Sequence, residues 1–135
     1  MFLTPVCVAR IDGIVATDIT RDFVMPFDGR LTAASLTDST AHSASDSNYQ
    51  TITCVNKGAA GAGSTAMIAT TNTKSTGTGA LGDLSANIPK AITLSTTYAN
   101  TLIKAGEVVQ IAIVKASSGT LTNGSVEILA VPGGY

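Results

Sequence analysis

The chain has 135 residues, and 8 Lys and Arg against 9 Asp and Glu give it a formal charge of −1. Cations so few and scattered cannot neutralise many phosphates, which argues against a nucleic-acid binder. Near-zero net charge with a mean hydropathy of +0.33 argues against disorder. Charged residues are 13% of the sequence, about half the roughly 25% of an average soluble domain, and 20 Thr and 12 Ser stand in their place. A hydroxyl-rich surface of this kind stays hydrated without repulsion between copies and suits dense packing of many copies.

Residues 1–13 read as an N-terminal arm or an edge strand, and 14–135 as a single β-sandwich domain. Six of the eight residues Met1–Val8 are apolar, yet Thr4-Pro5 prevents a regular helix or an internal strand. Phe2, Leu3 and Val6 are therefore the candidate interface residues: left free they would stand in water, and burying each is worth roughly 1.5–3 kcal/mol. No basic segment precedes them, so no secretory signal is expected. The longest uncharged run, between Lys57 and Lys74, is too short and polar for a membrane span.

Residues 14–25 alternate, with Ile19, Phe23 and Met25 opposite Thr20 and Asp22, and predict a strand. Pro26 ends it, Phe27-Asp28-Gly29-Arg30 reads as a turn, and 31–37 as a second strand completing a hairpin. A polar loop covers 38–47. Strands are predicted over 48–56 and, after a flexible Gly-Ala connector, over 64–73 around Met67-Ile68. Residues 74–87 form a loop with one helical turn at 80–86. Further strands are expected at 90–96, 107–115 and 125–131, and residues 98–103 lead into a turn at Lys104-Ala105-Gly106-Glu107. The segment 107–115 is apolar on both faces and predicts a central strand, and Asn123-Gly124 is a strong hairpin dipeptide. Many short strands with turn signals between them predict an all-β, antiparallel sandwich or barrel.

Candidate chemistry is sparse. Gly58, Gly61 and Gly63 are spaced like a phosphate loop, but Ser64 stands where Lys is required and no helix is predicted to follow. His42, the single histidine, sits among Ser39, Ser43 and Asp46 in a run that reads as an exposed polar loop, without the rigid elbow and oxyanion donors of a hydrolase. One His, two distant Cys and dispersed Asp match no metal-ligand spacing. No catalytic, cofactor or metal residues are expected. Cys7 and Cys54 can be free or paired, and with no sign of export free thiols are favoured. The sequon Asn123-Gly124-Ser125 is explained by its turn. Six aromatic residues are too few for a base-stacking or sugar-stacking platform.

Two stretches carry a resemblance. Asp22-Phe-Val-Met-Pro-Phe-Asp-Gly-Arg-Leu-Thr-Ala-Ala-Ser-Leu36 is similar to the strand, Pro-aromatic-Asp-Gly, strand unit that opens the small jelly-roll decoration (cement) proteins of tailed-phage capsids. Leu102-Ile-Lys-Ala-Gly-Glu-Val-Val-Gln-Ile-Ala-Ile-Val114, with Asn123-Gly124 and Val126–Val131, looks like their closing pair. The resemblance implies a jelly-roll sandwich and a non-enzymatic structural virion protein. Such a protein binds the capsid exterior as a homodimer or homotrimer, clamps neighbouring major capsid subunits, and is made in the host cytoplasm. No nucleic acid, membrane or cofactor is expected as partner. The alternative is a receptor- or glycan-binding domain of a phage fibre or surface adhesin.

Overall fold

The computed structural model describes residues 4–133. Ten strands follow in order: β1 Val6–Ile14, β2 Ile19–Val24, β3 Gly29–Thr37, β4 Tyr49–Gly58, β5 Thr65–Ala66, β6 Thr71–Asn72, β7 Lys90–Ile92, β8 Leu102–Ile103, β9 Val108–Ala116 and β10 Gly124–Pro132, with one 3-10 turn at Tyr98–Thr101. They form two antiparallel sheets. The first runs β1-β10-β3-β7, with β8 also on β3; the second runs β2-β9-β4-β5, with β6 also on β4. The protein is an all-β sandwich.

The pairing follows a rule. β1 pairs with β10, β2 with β9 and β3 with β8, each partner counted back from the far end, whereas β7 also joins β3 and β4 takes the short strands β5 and β6 that follow it. Two further seams, β10 on β3 and β9 on β4, knit these pairs into sheets. Between the sheets lies one apolar cluster fed by alternate residues: Val109, Ile111 and Ile113 from β9, and Val126, Ile128 and Ala130 from β10. Branched aliphatic side chains fill this layer, while Phe23 and Phe27 pack only part-buried at its margin. Strand β9 is central to its sheet, as its sequence predicts, but only its inner face is fully buried; Val108, Gln110 and Ala112 are half-buried and Val114 exposed.

Four expectations are corrected. The hairpin of 14–25 with 31–37 does not form, since β2 and β3 lie in different sheets. Met25 is buried, its N–H donates to the Glu107 carbonyl (2.8 Å) and its carbonyl accepts from Gly106 (2.9 Å). The chain is thereby drawn into the corner between the sheets, and Pro26, having no N–H to give to a ladder, carries it across. Asn123-Gly124 is likewise no hairpin: residues 117–123 cross from β9 in one sheet to β10 in the other.

The strand expected over 64–73 is broken. Met67 and Ile68 are both buried, which adjacent residues of a half-exposed strand cannot be. Met67 N–H still donates to the Cys54 carbonyl of β4 (2.8 Å), and from there the chain turns to the segment after β7, Ala69 N–H to Thr93 carbonyl and Ser95 N–H to Met67 carbonyl, each 2.9 Å. The helical turn expected at 80–86 is absent because Gly77, Gly79 and Gly82 adopt positive φ, incompatible with a right-handed helix. Asn72 organises that loop instead, donating to Thr78 carbonyl and accepting the Leu81 N–H at its own carbonyl. Among the described residues the one 3-10 turn falls at Tyr98–Thr101, within the segment that leads into the Lys104–Glu107 turn.

Candidate functional site

Of the three candidate interface residues, Phe2 and Leu3 lie outside the described residues. Val6 opens β1, paired with Ala130, and is 41% exposed. β1 is the edge of the first sheet. It starts immediately after Pro5, whose missing N–H cannot extend the ladder, and Val6 lies at one end of the sandwich.

That end is built from the two stretches quoted above. One oxygen of the exposed Asp28 carboxylate accepts the Ala105 N–H (2.9 Å), and the Asp28 carbonyl accepts the Gly133 N–H (2.9 Å). With the Met25 bonds to Gly106 and Glu107, this ties the Pro-Phe-Asp-Gly corner to the Lys104–Glu107 turn and to the end of β10. Gly29 is required here: a side-chain carbon would stand 2.5 Å from the Val131 carbonyl oxygen.

The outer faces of the two sheets differ. On the first sheet Arg10 bonds Asp12 (2.9 Å) and Glu127 (2.5 Å), and Asp12 also accepts from the Ser125 hydroxyl. The Ser125 hydroxyl and then Arg10 hold the Asp12 carboxyl below its usual range, and the Asp12 bond in turn raises Arg10. On the second sheet the residues that alternate away from the core are Thr20, Asp22 and Val24 on β2, Val108, Gln110, Ala112, Val114 and Ala116 on β9, and Tyr49, Thr51, Thr53 and Val55 on β4, with the Lys74 ammonium 4.3 Å from the Tyr49 ring centre at one end. Asp22 is the single charged member of this set, and it accepts a hydrogen bond from the Gln110 amide (2.9 Å). Val24 is 68% exposed. This charge-poor face is not visible as a patch in the linear sequence, because its residues come from three separate strands.

No family model matches the chain, and no curated protein or solved structure matches it.

The remaining candidates take structural positions. The glycine loop connects strands β4 and β5, with Gly63 N–H on the Lys57 carbonyl (2.7 Å) and Gly61 N–H on the Gly58 carbonyl (3.3 Å). Those donors are turned inward, away from any phosphate. His42 is half-buried rather than exposed, because its backbone forms a bridge with Leu84, 2.9 Å in both directions. Its neighbour in sequence Asp46 faces elsewhere: it accepts the Ser75 and Thr76 N–H groups and the Thr76 hydroxyl. That hydroxyl, foremost, lowers its pKa. Among the described residues no group of three or more His, Cys, Asp or Glu could hold a metal ion, and no helix is long and apolar enough to cross a membrane. Both cysteines are free; Cys7 is exposed, and burial pushes the Cys54 thiol up to about 12.

Sequence reasoning missed Asp38. It is fully buried, and its oxygens accept the N–H groups of Thr122 (3.0 Å) and Asn123 (2.9 Å). In the sequence it is one more polar residue at a strand end.

Proposed function

We propose that this protein is a structural virion protein of jelly-roll type that decorates the outer surface of a tailed-phage capsid and clamps neighbouring major capsid subunits. The single observation that carries the reading is the corner at Asp28. The two stretches that resemble the decoration proteins, 22–36 and 102–114, lie far apart in sequence yet are bonded into one unit there. The pairing of β1 with β10, β2 with β9 and β3 with β8 supports the jelly-roll assignment, since counting partners from the far end is how a long folded-over hairpin wraps into two Greek keys. A charge-poor sheet face supports a role in protein contact rather than in chemistry. The protein then works on the capsid exterior, after synthesis in the host cytoplasm, without a catalytic group or cofactor.

A second reading, as a glycan-binding domain, has one observation in its favour. A cleft of about 350 Å³ beside β1 and β10 is lined by Arg10, Asp12, Asn87, Asn123 and Ser125, side chains able to bond sugar hydroxyls. It has no aromatic residue among its lining for a sugar ring to stack on.

The two are separated by mixing the purified protein with expanded heads of the virus that encodes it. Cosedimentation at a fixed number of copies per head, on the outer surface by cryo-electron microscopy, is expected. Failure to bind heads, together with saturable binding on a glycan array, would replace the capsid reading with the second.

A further inference from the structure

Asn123-Gly124 has the composition of a hairpin turn but lies at the end of a crossing between sheets, and that leaves its side chain free. The chain has six asparagines. Four have engaged side chains. Asn48 and Asn56 accept the Ser118 and Gly58 N–H groups, Asn72 donates to the Thr78 carbonyl, and Asn100 donates to the Ser95 hydroxyl. Among the described residues nothing bonds the side-chain amides of Asn87 and Asn123. Asn87 precedes Ile88, whose branched side chain crowds its own backbone nitrogen. Asn123 is exposed and precedes a glycine, which has no Cβ to crowd it.

We propose that Asn123 is a self-modification site, where the Gly124 backbone nitrogen closes on the Asn123 side chain and converts it to aspartate and isoaspartate. The Gly124 nitrogen gives up its proton and forms a bond to Asn123 Cγ. The Cγ–Nδ2 bond breaks, and ammonia leaves with a proton in its place. The five-membered imide then takes up one water at either carbonyl. Opening at one carbonyl gives aspartate; opening at the other leaves the main chain running through the former side chain, as isoaspartate. Water is the only co-reactant. The fold supplies the freedom that ring closure needs. Gly124 is the first residue of β10, and a register shift separates its pair with Ile14 from the rest of the ladder. The Asn123–Gly124 peptide therefore opens by fraying of one rung, while the rest of the sheet stays closed.

The products act on the crossing itself. The Asn123 N–H is held by the buried Asp38 carboxylate (2.9 Å), and Asp12 lines the same cleft as Asn123. A carboxylate at 123 adds a third negative charge beside these two, and like charges repel. Isoaspartate also lengthens the main chain by a carbon between the Asp38 anchor and Gly124. Gly124 is closely packed, since an added side-chain carbon would stand 2.5 Å from Leu121 Cδ1 and 3.2 Å from Ile14 Cβ. The extra atom displaces it from Ile14. Conversion thus unfastens the start of β10 as the molecule ages, whether or not the capsid reading holds.

The test incubates the full chain at mildly alkaline pH, folded and, in parallel, unfolded in urea. Peptide mapping by mass spectrometry should show a gain of about one dalton on the folded chain at the peptide that holds residue 123. The other five asparagines should stay unchanged. Conversion should quicken as pH rises, because the Gly124 nitrogen must lose its proton. Asn123→Gln, which would have to close a six-membered imide, should not convert. After separation by ion exchange and reversed-phase chromatography, the isoaspartate form should melt below the Asn123→Asp protein, which carries the added charge alone. That protein should in turn melt below the parent. A folded parent that stays unconverted after the urea-unfolded chain has converted would overturn the proposal. So would faster conversion at another asparagine, or an isoaspartate form that melts with Asn123→Asp.

Discussion

Asp38 holds the loop between β9 and β10, and removing its carboxylate measures how much that loop depends on it. In the Asp38→Ala protein the N–H groups of Thr122 and Asn123 lose their acceptor, while the Asn87 N–H keeps the Asp38 backbone carbonyl (2.7 Å). An unsatisfied buried donor costs about 1–3 kcal/mol. Thr122 and Asn123 are themselves exposed, so water partly replaces what is lost. Two donors at the lower half of that range come to about 2–4 kcal/mol, a large part of a typical total of about 5–15. Urea unfolding should show a lower midpoint with an unchanged slope, since the surface exposed on unfolding stays the same. Asp38→Asn keeps one acceptor and turns an amide N–H toward the other donor, so it should fall between the parent and the Ala protein. If Asp38→Ala unfolds within about 0.5 kcal/mol of the parent, the size of an ordinary surface substitution, the reasoning fails. The loop would then be held by its other bonds, Leu121 N–H to Val15 carbonyl and Gly119 N–H to Ala116 carbonyl.

Ile111 is buried at the centre of β9, flanked by Arg21 and Cys54 on neighbouring strands. Ile111→Val should cost about 0.5–1.5 kcal/mol, and Ile111→Asp should abolish cooperative thermal unfolding by burying an unpaired carboxylate; a soluble, cooperatively folded Ile111→Asp protein would refute the placement. With its thiol at about 12, Cys54 is almost wholly protonated at pH 8, so iodoacetamide should add one label to the native protein, at Cys7, and two after denaturation, counted by mass spectrometry. Because the folded pKa of Asp46 is depressed, its bonds to Ser75 and Thr76 contribute stability that is present above the unfolded carboxylate value near 3.8 and lost as pH falls through the lower folded value. The melting temperature of the parent should therefore drop more steeply below about pH 4 than that of Asp46→Asn, whose uncharged amide has no proton to gain there.

The central and closing strands were legible because β-branched residues and alternation coincide there. Residues 107–115 and 125–131 differ from β9 and β10 by a residue at either end. What a linear pattern does not carry is which sheet a strand joins. Pro26-Phe27-Asp28-Gly29 has the composition of a hairpin turn, and Asn123-Gly124 more so, yet both sit where the chain changes sheets. The deciding bonds come from residues such as Gly106, Glu107 and Asp38, distant in sequence. Met67 and Ile68 show the same limit: two consecutive buried side chains fit a strand only on condition that a second sheet takes one of them. For the candidate interface, composition flagged Phe2, Leu3 and Val6, whereas the outer face of β2, β9 and β4 comes from three segments that no local window joins.

Pairing strands from opposite ends of the chain turns synthesis into a clock. Val6 meets Ala130, so at about 5–20 residues per second the first strand waits some 6 to 25 s for its neighbour to be translated. Contacts of such long range are slow to form even in a finished chain. Throughout the wait, the inner faces of β1 and β3 have no shared partner. A message truncated at residue 123 would lack β10, the strand that joins β1 to β3, and would leave an edge of each bare, a template for aggregation rather than a smaller sandwich.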